Sequence, residues 1–451
     1  MPACGEIDLK NFDQLSDLAK DELVARQTVL NRNWDYYRRK HKQWLINPET
    51  GKPAPENVTI NLARRVVNQT VAFLFGHTPI ISAGTDEMKE VINEILDANN
   101  EDSFFPRLGK VGAITGHCFV KIVPEGEGVR WILLDPRNIS VFWAGDDVSK
   151  ALAYKIEWNS GENSYRQDII YQPEIGKWLM RDLVKIKNGN WEPKAGVAYN
   201  WQFTFAPIVD WQNLSDPSGF YGESDLIALD LNDATNFTAS NVNSILKYHA
   251  SPRTVATGVS KDQIEETSVD GLWSTENENA KVFNLEMTSD LTSSMAFLEF
   301  ERDSFYSESQ AVDLSKLKDK ANDLTNFALR VIFNDALEKN STKQMEYGRG
   351  LKDLIYRSLI VLGKTVKAKD VTVQFEDPLP RNRQEIAQIA QMGVQGGWLS
   401  KESASLETGH AWAVEDERIQ KEKASESIDV GNAVMDLINK TNVEDQGATS
   451  A

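Results

Sequence analysis

Two cysteines in 451 residues, Cys4 and Cys118, are too few for a disulfide framework or a structural zinc site, and they point to a reducing compartment. The five histidines, at 41, 77, 117, 249 and 410, never fall at a chelating spacing. His117 and Cys118 are adjacent, which suits a buried pair better than a metal site. No apolar run approaches the roughly 20 residues of a membrane helix. The N-terminal MPACGEIDLK has no apolar signal core, so the expectation is a soluble chain without a classical secretory signal and without a membrane partner. Positive charge is also short: 49 Lys and Arg stand against 67 Asp and Glu, a net charge of -18. That excludes nucleic-acid binding by bulk attraction, although not a local basic patch.

Catalytic signatures are missing as well. There is no GxSxG, no HExxH and no Walker-type phosphate loop, so no nucleotide hydrolysis and no cofactor is expected. DLNDATN lacks the glycine and terminal glutamate of a calcium loop and sits within a helical pattern. Carboxylates are so abundant that a glycosidase-like pair carries no signal. The twelve tryptophans fall in alternating segments, where they suit packed sheets rather than a ligand platform.

The patterns present describe an α+β chain of several sub-structures. Residues 12–44 are helical in pattern and carry WDYYRRKHKQW, whose Arg38, Arg39, Lys40 and Lys42 form a solvated basic face. A loop precedes a helix over 63–75, with Gly76 expected as a left-handed cap, and another helix spans 86–99. From Cys118 the period becomes two: CFVKIVP and VRWILLD flank Glu125-Gly126-Glu127-Gly128 as a hairpin. Further strands follow in ISVFWAGDD, ALAYKIEW, WLMRDLVKI and WQFTFAPIV.

A helix over 224–249 comes next, with Ser224 expected as its cap and Asp225 in its first turn. Asn236, Ser240, Asn241, Asn243 and Ser244 occupy faces where a solvated helix would carry Lys–Glu pairs, so something polar, or another copy of the helix, should lie alongside. Pro252 ends it, and Arg253 opens a small β module running to about Met287. A second helix returns over 289–305. Then come SKLKDK at 315–320, a long helix with Leu324, Phe327, Ala328, Val331 and Ile332 on one stripe, a separate helix over 351–362, the strand VTVQFED, and a Glu-rich helical segment that frays into a disordered tail.

Four stretches in this order resemble the portal proteins of tailed double-stranded DNA phages: YYRRKHKQW…NVTINLARRVVNQTVAFLFGHTPI, GESDLIALDLNDATNFTASN, DALEKNSTKQMEYGRGLKDLI and FEDPLPRNRQE…GGWLSKESA. The resemblance implies a portal fold: a β-rich wing over 1–223, stem helices over 224–250 and 289–307, and a small α/β clip over 251–288 between them. It further implies a tunnel loop over 308–320, a wing helix with its following elements over 321–375, and a crown with a disordered tail over 376–451. It implies a ring of about twelve copies at one capsid vertex. Double-stranded DNA would pass through it during packaging and ejection. Partners would be the terminase large subunit, a head–tail adaptor, and the major capsid and scaffolding proteins. The protein would assemble in the host cytoplasm and end in the virion. Lys316, Lys318 and Lys320 would face DNA in the tunnel, and Asn236, Ser240, Asn241 and Ser244 would meet neighbouring stems. The residues alone leave two other classes open, an intracellular glycan hydrolase acting through a carboxylate pair and a monomeric scaffold or adaptor.

Overall fold

The computed structural model describes residues 12–14, 16, 20–186, 189–250, 253–258, 265–267, 272–274, 279, 281–285, 291–317, 326–379, 383–409, 412 and 415–421. The chain divides into two compact units, residues 1–324 with 329–378, and residues 325–328 with 379–451.

In the first unit, helix α1 spans Lys20–Tyr37, with Asp21 and Glu22 in the first turn where the helix dipole favours them. The basic stretch does not continue it. Arg39 turns left-handed at φ 68°, and the Lys40 and Arg39 amides close back onto Asp35 O and Tyr36 O at 2.7 and 3.0 Å. Helix α2, Leu62–Phe75, is capped by the Asn61 side chain, which accepts from the Arg64 amide. It buries Leu62, Val66, Val67, Val71 and Leu74, each contributing about 1.5–3 kcal/mol relative to exposure. Gly76 is right-handed (φ -65°) and not the expected left-handed cap; a Cβ there would meet Ala72 O at 2.3 Å.

Strand β1, Ile80–Ala83, leads to helix α3, Asp86–Ala98, capped by Thr85. Helix α4, Glu101–Thr115, has no counterpart among the sequence expectations, because Pro106, Gly109 and Gly112 interrupt its helical pattern. Tertiary packing overrides that weak propensity. A Cβ on Gly112 would lie 1.9 Å from the Tyr347 hydroxyl, so only glycine lets the two helices approach.

The expected hairpin forms from β2, His117–Glu125, and β3, Gly128–Leu133, joined at Gly126 with φ 60°. Further strands are β4, Ile139–Trp143; β5, Ala151–Ser160; β6, Asn163–Gln172; β7, Lys177–Ile186; and β8, Glu192–Asn200. They form a five-stranded antiparallel meander in sequence order. Within WQFTFAPIV the strand begins only at Ile208: β9, Ile208–Gln212, pairs with β2, while Phe203 and Phe205 stack with ring centroids 5.3 Å apart. Alternation along β2 assigns its side chains to two cores. Cys118, Val120 and Ile122 join the helical core, whereas Phe119 joins the meander's core with Tyr154, Ile169 and Met180.

Helix α5, Leu229–Ala250, starts later than its sequence suggested, since Ser224 and Asp225 lie in the preceding loop. Four short strands follow: β10, Arg253–Thr257; β11, Glu265–Thr267; β12, Leu272–Ser274; and β13, Lys281–Leu285. β10 pairs antiparallel with β13, Arg253 opposite Leu285, so α5 and helix α6, Leu291–Glu308, join the same end of that ladder. Beyond them, helix α7, Asn326–Ile332, breaks at Phe333 before helix α8, Asn334–Val361. The separate helix expected over 351–362 is the second half of α8. Gly348 and Gly350 hid the continuity, and a Cβ on Gly350 would strike the Trp211 indole at 2.2 Å. Strand β14, Val371–Gln374, pairs with β1.

In the second unit, helices α9, Arg383–Gln395, and α10, Lys401–Glu407, form a helix–turn–helix. Gly393 and Gly396 make room for Trp398, and Ser400 caps α10. The expected disordered tail lies outside the described residues.

Candidate functional site

The uncharged face of α5 has a partner inside its own chain. Asn232, Asn236, Ser240 and Asn243 recur at helical spacing and meet the backbone of the segment 56–61 and the first turn of α2. Asn232 accepts from the Ala63 amide at 3.2 Å and donates to Ile60 O at 2.8 Å. Asn236 accepts from the Ile60 amide at 2.7 Å, and Ser240 accepts from the Val58 amide at 2.9 Å. Asn243 donates to Glu56 O at 2.9 Å, and Lys247 pairs with the Glu56 carboxylate. A strand-like segment with no sheet neighbour thereby has its amides satisfied by side chains, as buried backbone requires.

Asn236 and Ser240 are therefore buried within the chain, where the sequence reading had set them against a neighbouring subunit. Their side-chain oxygens already serve local backbone. Asn241 is half-buried, and Ser244 is exposed.

Another face of α5 packs on α6. Thr238 donates to the Glu301 carboxylate at 3.2 Å, and both Ala239 and Val242 are buried. Outward-facing apolar side chains remain on both helices: Phe237 and Leu246 on α5, with Met295, Phe297 and Phe300 on α6, the last 64% exposed. An aromatic surface of this kind on a helical pair marks an association site more often than a solvated face.

At the base of the pair sits a buried charge cluster. Asp225, fully enclosed, lies 2.6 Å from Lys343 Nζ and 3.2 Å from Lys339 Nζ, both on α8, and accepts from the Thr70 hydroxyl of α2 at 2.8 Å. Lys339 also donates to Ser309 O, just past the end of α6, at 2.9 Å. One carboxylate thus ties the approach to α5, the end of α6, α2 and α8 together. Burial alone would raise the Asp225 carboxyl, but the Lys343 and Lys339 ammonium groups overcome it and hold the group well below the usual carboxylate range. Burial, together with the Lys339 ammonium beside it, pulls the Lys343 ammonium down against the opposing pull of the Asp225 carboxylate. The cluster continues through Asn213 to Tyr347, whose hydroxyl donates at 3.0 Å, and on to Cys118 at 3.4 Å. Burial pushes the Cys118 thiol up to about 12, so it is inert as a nucleophile. The expected buried His117–Cys118 pair is present, with the two side chains on opposite faces of β2.

Sequence reasoning did not find this cluster. Its one local signal is the i, i+4 spacing of Lys339 and Lys343 on an otherwise buried helix face.

Past α6, Lys316 pairs with Asp303, Asp313 accepts from the Ser315 amide at 3.0 Å, and Arg302 lies 2.6 Å from Asp313. These contacts fold the first half of SKLKDK back on α6. Lys318 and Lys320 lie outside the described residues. Among the described residues no group of His, Cys, Asp and Glu is arranged to hold a metal, and no helix is long and apolar enough to cross a membrane.

A helical pair carrying a β module at its tip, on a mixed helix-and-sheet body, defines the portal class of fold. The chain belongs to the phage portal protein family, SPP1 Gp6-like, whose model matches residues 19–429. That family is structural and non-enzymatic. Among solved structures, the chain is similar to the neck of an empty GTA particle computed with C6 symmetry, at 12% identity and a TM-score of 0.50, over 79% of this chain and 90% of that one. It also matches the neck of a native GTA particle computed with C12 symmetry, at 12% identity and a TM-score of 0.46, over 77% of this chain and 89% of that one. The virion of a native gene transfer agent particle matches at 11% identity and 0.46, with the same coverage. No curated protein matches the chain.

Proposed function

We propose that this chain is the subunit of a portal ring at one capsid vertex of a virion, forming the channel through which double-stranded DNA is packaged and ejected. Family membership supports the portal role. The observation that carries the ring is the helical pair α5–α6, whose Phe237, Leu246, Met295, Phe297 and Phe300 stand exposed on the single chain and would be covered by the same pair of a neighbouring copy. The C12 and C6 symmetries belong to the GTA necks, and a ring of about twelve is the matching proposal for this chain. The ring would form in the host cytoplasm and meet the terminase large subunit, a head–tail adaptor, and the major capsid and scaffolding proteins. In it, α5 and α6 act as the stem, the module between them as the clip, and the residues after α6 as the tunnel loop.

Of Asn236, Ser240, Asn241 and Ser244, the last two have side chains that remain open to meet a neighbour. Purified protein sedimenting as a high-mass ring visible in micrographs is the expected result, with Asn241→Glu plus Ser244→Glu weakening assembly by repeating like charge around the axis. A single compact chain at every concentration and salt would overturn the proposal. Lys316, Lys318 and Lys320 would present weak, exchangeable phosphate contacts in the channel. Changing all three to alanine is expected to leave rings intact and lower packaging or retention of DNA in an in vitro packaging assay.

A further inference from the structure

Between residues 32 and 65 eight Lys or Arg face three Asp or Glu, in a chain of net charge -18. The fold gathers these cations. The Arg38 guanidinium lies over the Trp34 ring at 4.9 Å, Arg137 over the same ring at 5.4 Å, and Arg64 over Tyr37 at 5.6 Å, while the Trp34 and Tyr37 centroids are 6.0 Å apart. Lys42 sits 3.9 Å over Trp44, and Arg39 reaches Thr59 O at 3.3 Å. Arg38, Arg39, Lys40, Lys42, Arg64 and Arg65 are all exposed. Several nearby acids are already engaged: Asp35 pairs with Lys40, Asp135 holds Arg137, Asp233 accepts from the Tyr36 hydroxyl, and Glu56 pairs with Lys247.

A guanidinium held over an aromatic ring is restrained in position while its N–H groups can still meet phosphate oxygens, and here Arg38 and Arg64 are the exposed ones, the Arg137 N–H groups being taken by Asp135 and Asn31. The turn itself carries a cost, for Arg39 occupies at φ 68° the left-handed position that glycine usually fills at a helix C-terminus. Strain retained for a cation at a surface turn is a functional signal. Arginines sit over the Trp34 and Tyr37 rings, which leaves less ring face for the base stacking that single strands need.

We infer that this patch, the α1 C-terminal turn with the start of α2, is a binding surface for the phosphate backbone of duplex DNA, read without base specificity. It is separate from SKLKDK and lies on different elements.

The test uses the full-length protein and relaxed closed-circular DNA, which cannot thread a closed ring. Binding is followed by co-sedimentation between about 50 and 200 mM salt. Wild type is expected to bind with log K falling linearly in log salt. Arg39→Gly suits the turn, so its melting temperature should match or exceed wild type while affinity drops and the salt slope becomes shallower by about 0.9. Arg38→Ala with Arg64→Ala should weaken binding roughly tenfold or more, each lost phosphate contact adding to the salt effect. Wild-type affinity and slope in both variants would overturn the inference, as would binding of phosphatidylserine vesicles with none of DNA. Rings are scored separately in micrographs, so loss of the patch and loss of the portal reading give different results.

Discussion

Asp225 is one carboxylate shared by two buried ammonium groups, and its removal would leave both uncompensated. Asp225→Asn is expected to lower stability by about 3–5 kcal/mol, read by denaturant unfolding, with part of the loss recovered when Lys343→Met is added. Its acid dependence has a definite sign. The folded carboxyl ionises below the unfolded value near about 3.9, so the contribution is complete above that pH and is lost as pH falls through the lower folded value. Acid unfolding should therefore begin at higher pH once the cluster is disabled by Asp225→Asn. Gly350→Ala should destabilise by at least about 1–3 kcal/mol, since the Trp211 indole cannot retreat from a packed core. Beyond the i, i+4 spacing of Lys339 and Lys343, none of this was legible locally. Ser224-Asp225 has the pattern of a helix start, and its true partners lie more than a hundred residues later on α8.

The strongest periodic segments were legible as elements: α2, α3, the β2–β3 turn and the α5–module–α6 order follow from spacing and from Gly and Pro placement. Elements whose glycines serve close packing were not, and α4 and the continuous α8 are the two examples. The polar face of α5 was legible as needing a partner, but not which one. A side chain that accepts from a backbone amide leaves no sequence mark on the segment it serves. Asn236→Ala with Ser240→Ala is expected to release 56–61, so the amides of Val58 and Ile60 should exchange with solvent at least roughly tenfold faster while those of β6 keep their protection. Equal exchange would mean the segment is held by other contacts.

For the whole molecule, the family was legible because four diffuse stretches occur in a fixed order along the 19–429 region that the family model matches. Sequence order also set the reading of the helical pair, whereas the exposed aromatic side chains on it needed coordinates. Phe297→Asp with Phe300→Asp should abolish or weaken ring assembly with only a small shift in the melting temperature of the single chain, because both side chains are more than half exposed there and their rings pack mainly on each other. The ladder at the tip of the pair has its own consequence. Arg253 and Leu285 face each other on adjacent strands, so the chain leaves α5 and returns to α6 across a single rung. Everything beyond that rung is a graft on a fixed stock. Its length and sequence are free to diverge between relatives, or to be exchanged in the laboratory, while the two helices beneath keep their register.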